Sequence, residues 1–397
     1  MGALSQLKVL DLSRVLAGPW ASQLLADLGA EVTKVERPRG GDDTRAWGPP
    51  WFDTAHGPEA AYFLATNRNK ESVAIDITQA EGQALVRRLA ARADVVIENF
   101  KVGGLARYGL DAATLRAAHP RLVYCSITGF GQDGPYAQRP GYDFLLQAMG
   151  GLMSLTGAPD GPPQKVGVAL TDILTGLYAT VGILAALAHR ERTGEGQHID
   201  VALLDVQVAC LANQAMNYLV SGVPPRRMGN AHPNIVPYEA FPTADGDIVL
   251  TVGNDRQWAA LCRLAGKPEW IDDARFATNA ARVAHRTTLI PLLRQVTVTR
   301  TTEEWVAALE AGGVPGGPIN DLARVFDDAQ IRHRAMRREI GGVPQVANPL
   351  RLSATPVDYR SAPPALGAHT AAVLARELGL APAELAVLGE RGVIGGV

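Results

Sequence analysis

The chain has 397 residues, 47% of them hydrophobic, and a net charge of −2 from 38 basic against 40 acidic side chains. It is long enough to bury a large core and to form two domains, and it lacks the positive field that neutralises nucleic-acid phosphates, so nucleic acid is not expected as a partner. Three scattered cysteines without a CxxC pair, and eight histidines without HExxH or another ligand spacing, argue against a disulfide framework and against a metal, and fit a reducing cytoplasm.

No signal or transit peptide is expected, because residues 1–6 lead straight into a strand-like run. From there strands and helices alternate: LKVLDLS (7–13), the helical WASQLLADLG, EVTKVE (31–36), SVAIDI (72–77), the helical EGQALVRRLAARA, ADVVIENF (93–100), a short helix near 111–118, and LVYCSITGF (122–130). Continuous apolar strands separated by helices predict an α/β fold, a doubly wound parallel sheet covered on both faces. Residues 165–192 then read as one apolar helix with an acidic side chain, Asp172, at its start, the other acid in the stretch being Glu191 near its end. The apolar stretch 173–189 is short for a membrane span and carries Thr175, Gly176 and Thr180, so a buried core helix is expected and no membrane partner.

After residue 220 the texture changes. SGVPPRRMGNAHPNIVPY reads as a linker, Asp245-Gly246 marks a hairpin, and helical patterns follow at 255–265, 286–296 and 302–311. The expected organisation is a large α/β domain over 1–220, a smaller α+β domain over 221–325, and a return to the large domain over 326–397, with a helix at 368–378.

The obvious ligand of a parallel sheet is a dinucleotide, but the first turn, SRVLAGPWAS, lacks GxGxxG. Neither a P-loop nor GxSxG occurs. Instead four loops are dense with donors: 35–48, 66–70, 98–109 and 128–143, carrying Arg37, Arg39, Arg45, Arg68, Lys70, Lys101, Arg107 and Arg139 interleaved with Asn67, Asn69 and Asn99. Only six lysines occur in the chain, so two of them in these loops is notable, although each charge alone reads equally well as solvated surface. Together they suit a phosphorylated, extended ligand. On residues alone, Asp172 is either a helix N-cap or a reactive carboxylate.

VLDLSRVLAGPWASQLLADLGAEVTKVERP, NRNKESVAID, ADVVIENFKVGGLARYGL, SITGFGQDGPYAQRPGYD, GVALTDILTGLYA and VPGGPIND together resemble the class III CoA-transferases, the CaiB/BaiF or formyl-CoA transferase family, over essentially the full length. GDDTRAWGPP with GNAHPNIVPYEAF looks most like the succinate-hydroxymethylglutarate (succinyl-CoA:glutarate) branch. The resemblance implies that Asp172 attacks an acyl-CoA thioester, that the CoA thiolate returns to give an aspartyl-CoA thioester, and that an acceptor carboxylate then takes its turn. It implies coenzyme A as co-substrate, with contacts from Leu16, Ala17, Arg37, Asn67, Arg68, Asn69, Lys70, Asn99, Phe100, Lys101, Arg107, Arg139 and Tyr142.

For the acids, Trp47 is expected to wall the acyl site, Arg45 and Arg139 to meet a distal carboxylate, and Asn230 and His232, within 229–237, to sit in a lid or an ordinary loop. The partners implied are an acyl-CoA such as succinyl-CoA, a small dicarboxylic acid, and a second copy of the chain in an interlocked homodimer. Leu16 stands where formyl-CoA transferase has glutamine, which sets oxalate-type recognition aside. α-Methylacyl-CoA racemases carry GHD where this chain has GYD, and Tyr142 is a poor base at neutral pH. Racemisation and intramolecular CoA transfer on one dicarboxylate stand as alternatives, and a non-catalytic CoA binder would have no use for the acid.

Overall fold

The structure is a computed structural model and describes residues 2–396. Two compact units divide the chain. The first runs to Leu152, resumes over Val166–Met216 and again from Gln330; the second comprises Met153–Lys165 and Asn217–Ala329. The excursion of 153–165 into the second unit was not expected, because nothing in its composition separates it from the loops around it.

The first unit is built on a sheet of β1 (Lys8–Asp11), β2 (Glu31–Glu36), β3 (Lys70–Ile75), β4 (Val95–Glu98), β5 (Val123–Thr128), β6 (His198–Ala202) and β7 (Ile394–Gly395). Its order is β7-β3-β2-β1-β4-β5-β6. All neighbours are parallel except β7, which lies antiparallel on β3. Side chains alternate across it as a period of two requires. Val9, Val32, Ile97, Val123 and Cys125 face α1 (Ala17–Asp27) and the long helix described below. Leu10, Val73, Val96 and Tyr124 face the other way, against α2 (Ala80–Ala90) and helices of the returning tail. Both faces are therefore covered, which explains strands apolar on every position.

Three further helices frame one end of this sheet: α3 (Asp143–Met149), α4 (Leu170–Thr193) and α5 (Leu203–Ala209), with α6 (Thr370–Leu378) on the opposite face. α4 is long and apolar enough to cross a membrane by length and composition alone. In this fold Thr175, Gly176, Ala179 and Ile183 pack it into the core beside α1. A Cβ on Gly176 would lie 2.7 Å from the carbonyl oxygen of Ala17, so only glycine lets the two backbones approach this closely.

In the second unit, strands Tyr238–Pro242, Asp247–Thr251 and Gly316–Pro318 form an antiparallel sheet around the predicted Asp245-Gly246 turn. Phe241, Leu250, Trp258, Phe276, Leu293 and Trp305 fill its own core.

Candidate active site

Sheets of this order have a switch point between the first strand and the strand that reverses direction, and ligands gather there at the carboxyl ends. Here that point lies between β1 and β4. The two outgoing loops are tied together: the Arg14 N–H donates to Asn99 Oδ1 at 2.9 Å and Asn99 Nδ2 donates to the Arg14 carbonyl at 2.6 Å. Above them opens a cavity of about 230 Å³ lined by Arg14, Val15, Leu16, Ala17, Asp43, Asn99, Phe100, Lys101, Arg139, Tyr142 and Asp172. A second, of about 1180 Å³, shares Arg14, Phe100, Lys101 and Val102 with it and continues past Arg37, Asp76, Ile77, Thr78, Gln79 and Arg107. Their shared lining joins them into one groove, with Asp172 in the smaller part and Arg14, Arg37, Lys101 and Arg107 along it, Asp43 and Asp76 among them.

The first turn is held from below by buried charge. Lys34, fully buried, pairs with Asp42 at 2.9 Å and donates to the Ser13 carbonyl at 2.8 Å, while Asp42 accepts the Val15 N–H at 3.2 Å. Burial alone would raise the Asp42 carboxyl, but Lys34 and the Thr44 bonds hold it at about 2. Val15 sits at φ +73°, a strained conformation for a β-branched residue, costing about 1–3 kcal/mol unless the surroundings impose it. That strain aims Leu16 and Ala17 into the cavity.

At the other wall, Asp172 stands in the first turn of α4, half-buried. It is not the helix cap; that position is Ala169, which has no capping side chain. Burial, and then the neighbouring Asp143 carboxylate, push its carboxyl up to about 7. Asp143 accepts the Thr171 N–H at 2.8 Å. Tyr62 completes this corner: burial, then Asp172 and Asp143, push its phenol up to about 12.

The structure brings Leu16, Ala17, Asn99, Phe100, Lys101, Arg139, Tyr142 and Asp172 into the smaller cavity, and Arg37 and Arg107 into the larger. Arg37 pairs with Asp43 at 2.7 Å, and the same carboxylate pairs with Arg14 at 2.9 Å. Arg139 pairs with no carboxylate among the described residues and lies over the Tyr136 ring at 4.6 Å.

Eight expected contacts lie elsewhere. Asn67, Arg68, Asn69 and Lys70 precede or begin β3, at its amino end, whereas the groove runs along the carboxyl ends, so Asp76–Gln79 after β3 line it instead. All four are buried in the fold: Arg68 grips Asp27 with both nitrogens at 2.6 and 2.9 Å, Asn69 donates to Asp27 at 3.0 Å, and Lys70 is held by Asp11 at 3.2 Å, Pro19 and Asn67. Burial draws the Lys70 ammonium down to about 8, with Asp11 opposing. Arg45 likewise is consumed by Glu36 at 2.8 Å and by Glu59, over the Phe63 ring, and is not offered to a substrate.

Trp47 does not line the cavity, although its ring packs edge-on against Tyr62 at 5.2 Å. Asn230 and His232 belong to the second unit, where the His232 N–H donates to the Tyr238 carbonyl at 2.9 Å.

Arg14, Asp43, Asp143, Tyr62 and Asp76–Gln79 were missed. For Asp143 the sequence held no signal, because Thr171 and Asp172 in GVALTD could each have capped the helix themselves; only the structure sets the cap at Ala169.

Residues 4–370 match CoA-transferase family III. The succinate–glutarate CoA-transferase of Agrobacterium fabrum is 55% identical over 379 residues, covering 94% of this chain and 95% of that protein. The human succinyl-CoA:glutarate CoA-transferase is 44% identical over 376 residues, covering 94% and 85%. Among solved structures, a CaiB/BaiF family protein from Brucella suis superposes with a TM-score of 0.86 at 53% identity, covering 95% and 99%. This doubly wound fold, with Asp172 in a cavity lined by cations, is thus similar to proteins named as CoA-transferases. The chain belongs to CoA-transferase family III and is a class III CoA-transferase.

Proposed function

We propose that this enzyme moves CoA from succinyl-CoA to a small dicarboxylic acid such as glutarate, with Asp172 as the covalent relay. The observation that carries the reading is the placement of Asp172 in the smaller cavity, which shares Arg14, Phe100 and Lys101 with the larger one lined by Arg37 and Arg107. Its carboxylate oxygen attacks the thioester carbonyl, and the C–S bond breaks to give a mixed anhydride and CoA thiolate. The thiolate attacks the aspartyl carbonyl, releasing succinate and leaving an aspartyl-CoA thioester. The acceptor carboxylate attacks that thioester, again forming an anhydride and thiolate, and thiolate attack on the acceptor's acyl carbon frees product and Asp172.

The groove supports CoA along Arg14, Arg37, Lys101 and Arg107, since guanidinium and ammonium groups suit phosphates. Arg139, lining the cavity without a carboxylate partner among the described residues, is the cation for the distal carboxylate. The relatives' names, succinate and glutarate, support acids of four to five carbons. An exposed apolar stripe on α4 supports a homodimer, the interlocked form that the resemblance implies. Nothing favours racemisation, with Tyr142 where a histidine would be needed.

The test incubates the protein with succinyl-CoA and a panel of dicarboxylates and identifies new thioesters by mass. Wild type is expected to yield glutaryl-CoA, and Asp172→Ala to lose transfer while retaining CoA binding. An Asp172→Ala protein that still turns over refutes the relay.

A further inference from the structure

The two aspartates at the head of α4 are not equivalent, and hydrogen bonds create the difference. A helix leaves its first N–H groups without partners, and the residue capping α4, Ala169, offers no side chain to meet them. Asp143, from the first turn of α3, meets them instead: Oδ1 accepts the N–H of Thr171 at 2.8 Å and faces that of Asp172 at 3.4 Å. Oδ2 accepts from Gln147 Nε2 at 2.7 Å. Gln147 is itself completely buried and fixed by the Val166 N–H, which donates to its Oε1 at 2.9 Å. The positive end of a helix is the most favourable position nearby for an anion, and Asp143 holds it. Asp172, whose own N–H faces Asp143, receives no hydrogen bond to its carboxylate among the described residues.

We propose that Asp143 is a positioning residue for acyl transfer: by taking the donors at the head of α4 and placing its own carboxylate beside Asp172, it leaves the nucleophile's charge unsupported until that charge is shared with the thioester. The inference rests on the reading of Asp172 as nucleophile. Its logic is differential. Attack moves negative charge off the aspartate and onto the thioester oxygen, so burial and like-charge repulsion oppose the resting anion more than the transition state. The upward push on the Asp172 carboxyl agrees with this, with burial first and Asp143 second as its causes. Facing Asp172 besides Asp143 is Tyr62 from the helix Ala61–Leu64, while Arg14, Lys101 and Arg139 line the cavity from the loops.

The test is Asp143→Asn, which keeps an oxygen for the Thr171 N–H and removes the charge. Expected are a fall in kcat of about tenfold or more, KM for the CoA donor within about twofold, and an acid limb of the kcat/KM profile displaced downward by about one pH unit. A thermal midpoint close to wild type would accompany them. Wild-type kcat, or a lost kcat with the acid limb unmoved, overturns the proposal, because a merely structural cap would not move the limb. If the asparagine variant does not fold, Asp143→Glu decides. It restores the charge on a longer arm and should keep the limb in place with kcat reduced, whereas unchanged kcat overturns the role. Asp172→Ala run alongside separates the two readings: residual turnover there sinks the nucleophile, whatever Asp143 does.

Discussion

A carboxylate of ordinary acidity is fully ionised at neutral pH and a weak nucleophile. Asp172 has been moved from that condition by burial and a neighbouring anion, up to about 7. In the relay proposed above the attacking species is the anion, so activity must rise with pH. We expect kcat/KM to climb through a midpoint near 7 and to fall about tenfold for each unit below 6, read from a pH–rate profile at constant ionic strength. The stability sign is the reverse. The folded value exceeds the unfolded one, so this group favours the fold fully below about 4 and withdraws that support as pH rises through about 7. Arg14 carries a second prediction. It borders both cavities and already holds an anion, Asp43, at 2.9 Å. Arg14→Ala should weaken CoA binding by about tenfold or more, the worth of a charge-assisted hydrogen bond, as measured by titration calorimetry. Lys70→Met should instead lower the thermal midpoint, since it strands Asp11 without its buried partner, at a cost of about 3–5 kcal/mol. The sequence singled out Asp172 because an acid stands at the head of an apolar helix, but the residues alone left cap and reactive group open and the family resemblance made the choice. It hid Asp143 because that residue acts from 29 positions upstream, through packing of α3 on α4. It misplaced Lys70 because a scarce lysine among asparagines looks the same whether it binds a ligand or neutralises a buried acid.

Elements were more legible than contacts. β2, α1, α2 and α4 follow from periodicity and stand within a few residues of where the sequence placed them. β6, HIDVA, escaped because its polar beginning lies at the sheet edge, and β7 because two residues carry no pattern. What no periodicity reveals is how near two helices come. Gly176 sits one turn after Asp172, with the Ala17 carbonyl and the Trp20 side chain against it, so this single residue couples the helix that carries the acid to the turn that lines the cavity. Gly176→Ala improves helix propensity by about 1 kcal/mol in isolation. In this fold the methyl group must push α1 away from α4. The expected result is loss of transfer of about tenfold or more, while the far-ultraviolet circular dichroism stays helical. A variant more stable and equally active would show that the close approach is dispensable.

At the scale of the whole molecule, the sheet order points to the candidate site, because crossovers leave β1 and β4 in opposite directions and open a crevice at their carboxyl ends. The same order leaves α4 with two faces. One is buried by Thr175, Ala179 and Ile183; on the other, Leu177, Tyr178 and Val181 are 43%, 50% and 64% exposed. Phe144 and Leu145 on α3 add to this apolar surface, at 57% and 40%. A stripe of this kind is unusual on a monomer and typical of a surface that meets another chain. α4 carries Asp172 on its first turn, so a partner covering this helix would pack on the element that holds the proposed nucleophile. With a second copy as the occupant, Val181→Asp places a charge where apolar surface must be buried, and charge depletion is the mark of such interface centres. Light scattering coupled to size exclusion should then report a dimer for the wild type and a shift toward monomer for Val181→Asp, with transfer activity falling in parallel as the mutant is diluted. A wild type that runs as a monomer at every concentration, yet transfers CoA at full rate, would mean that α4 needs no partner.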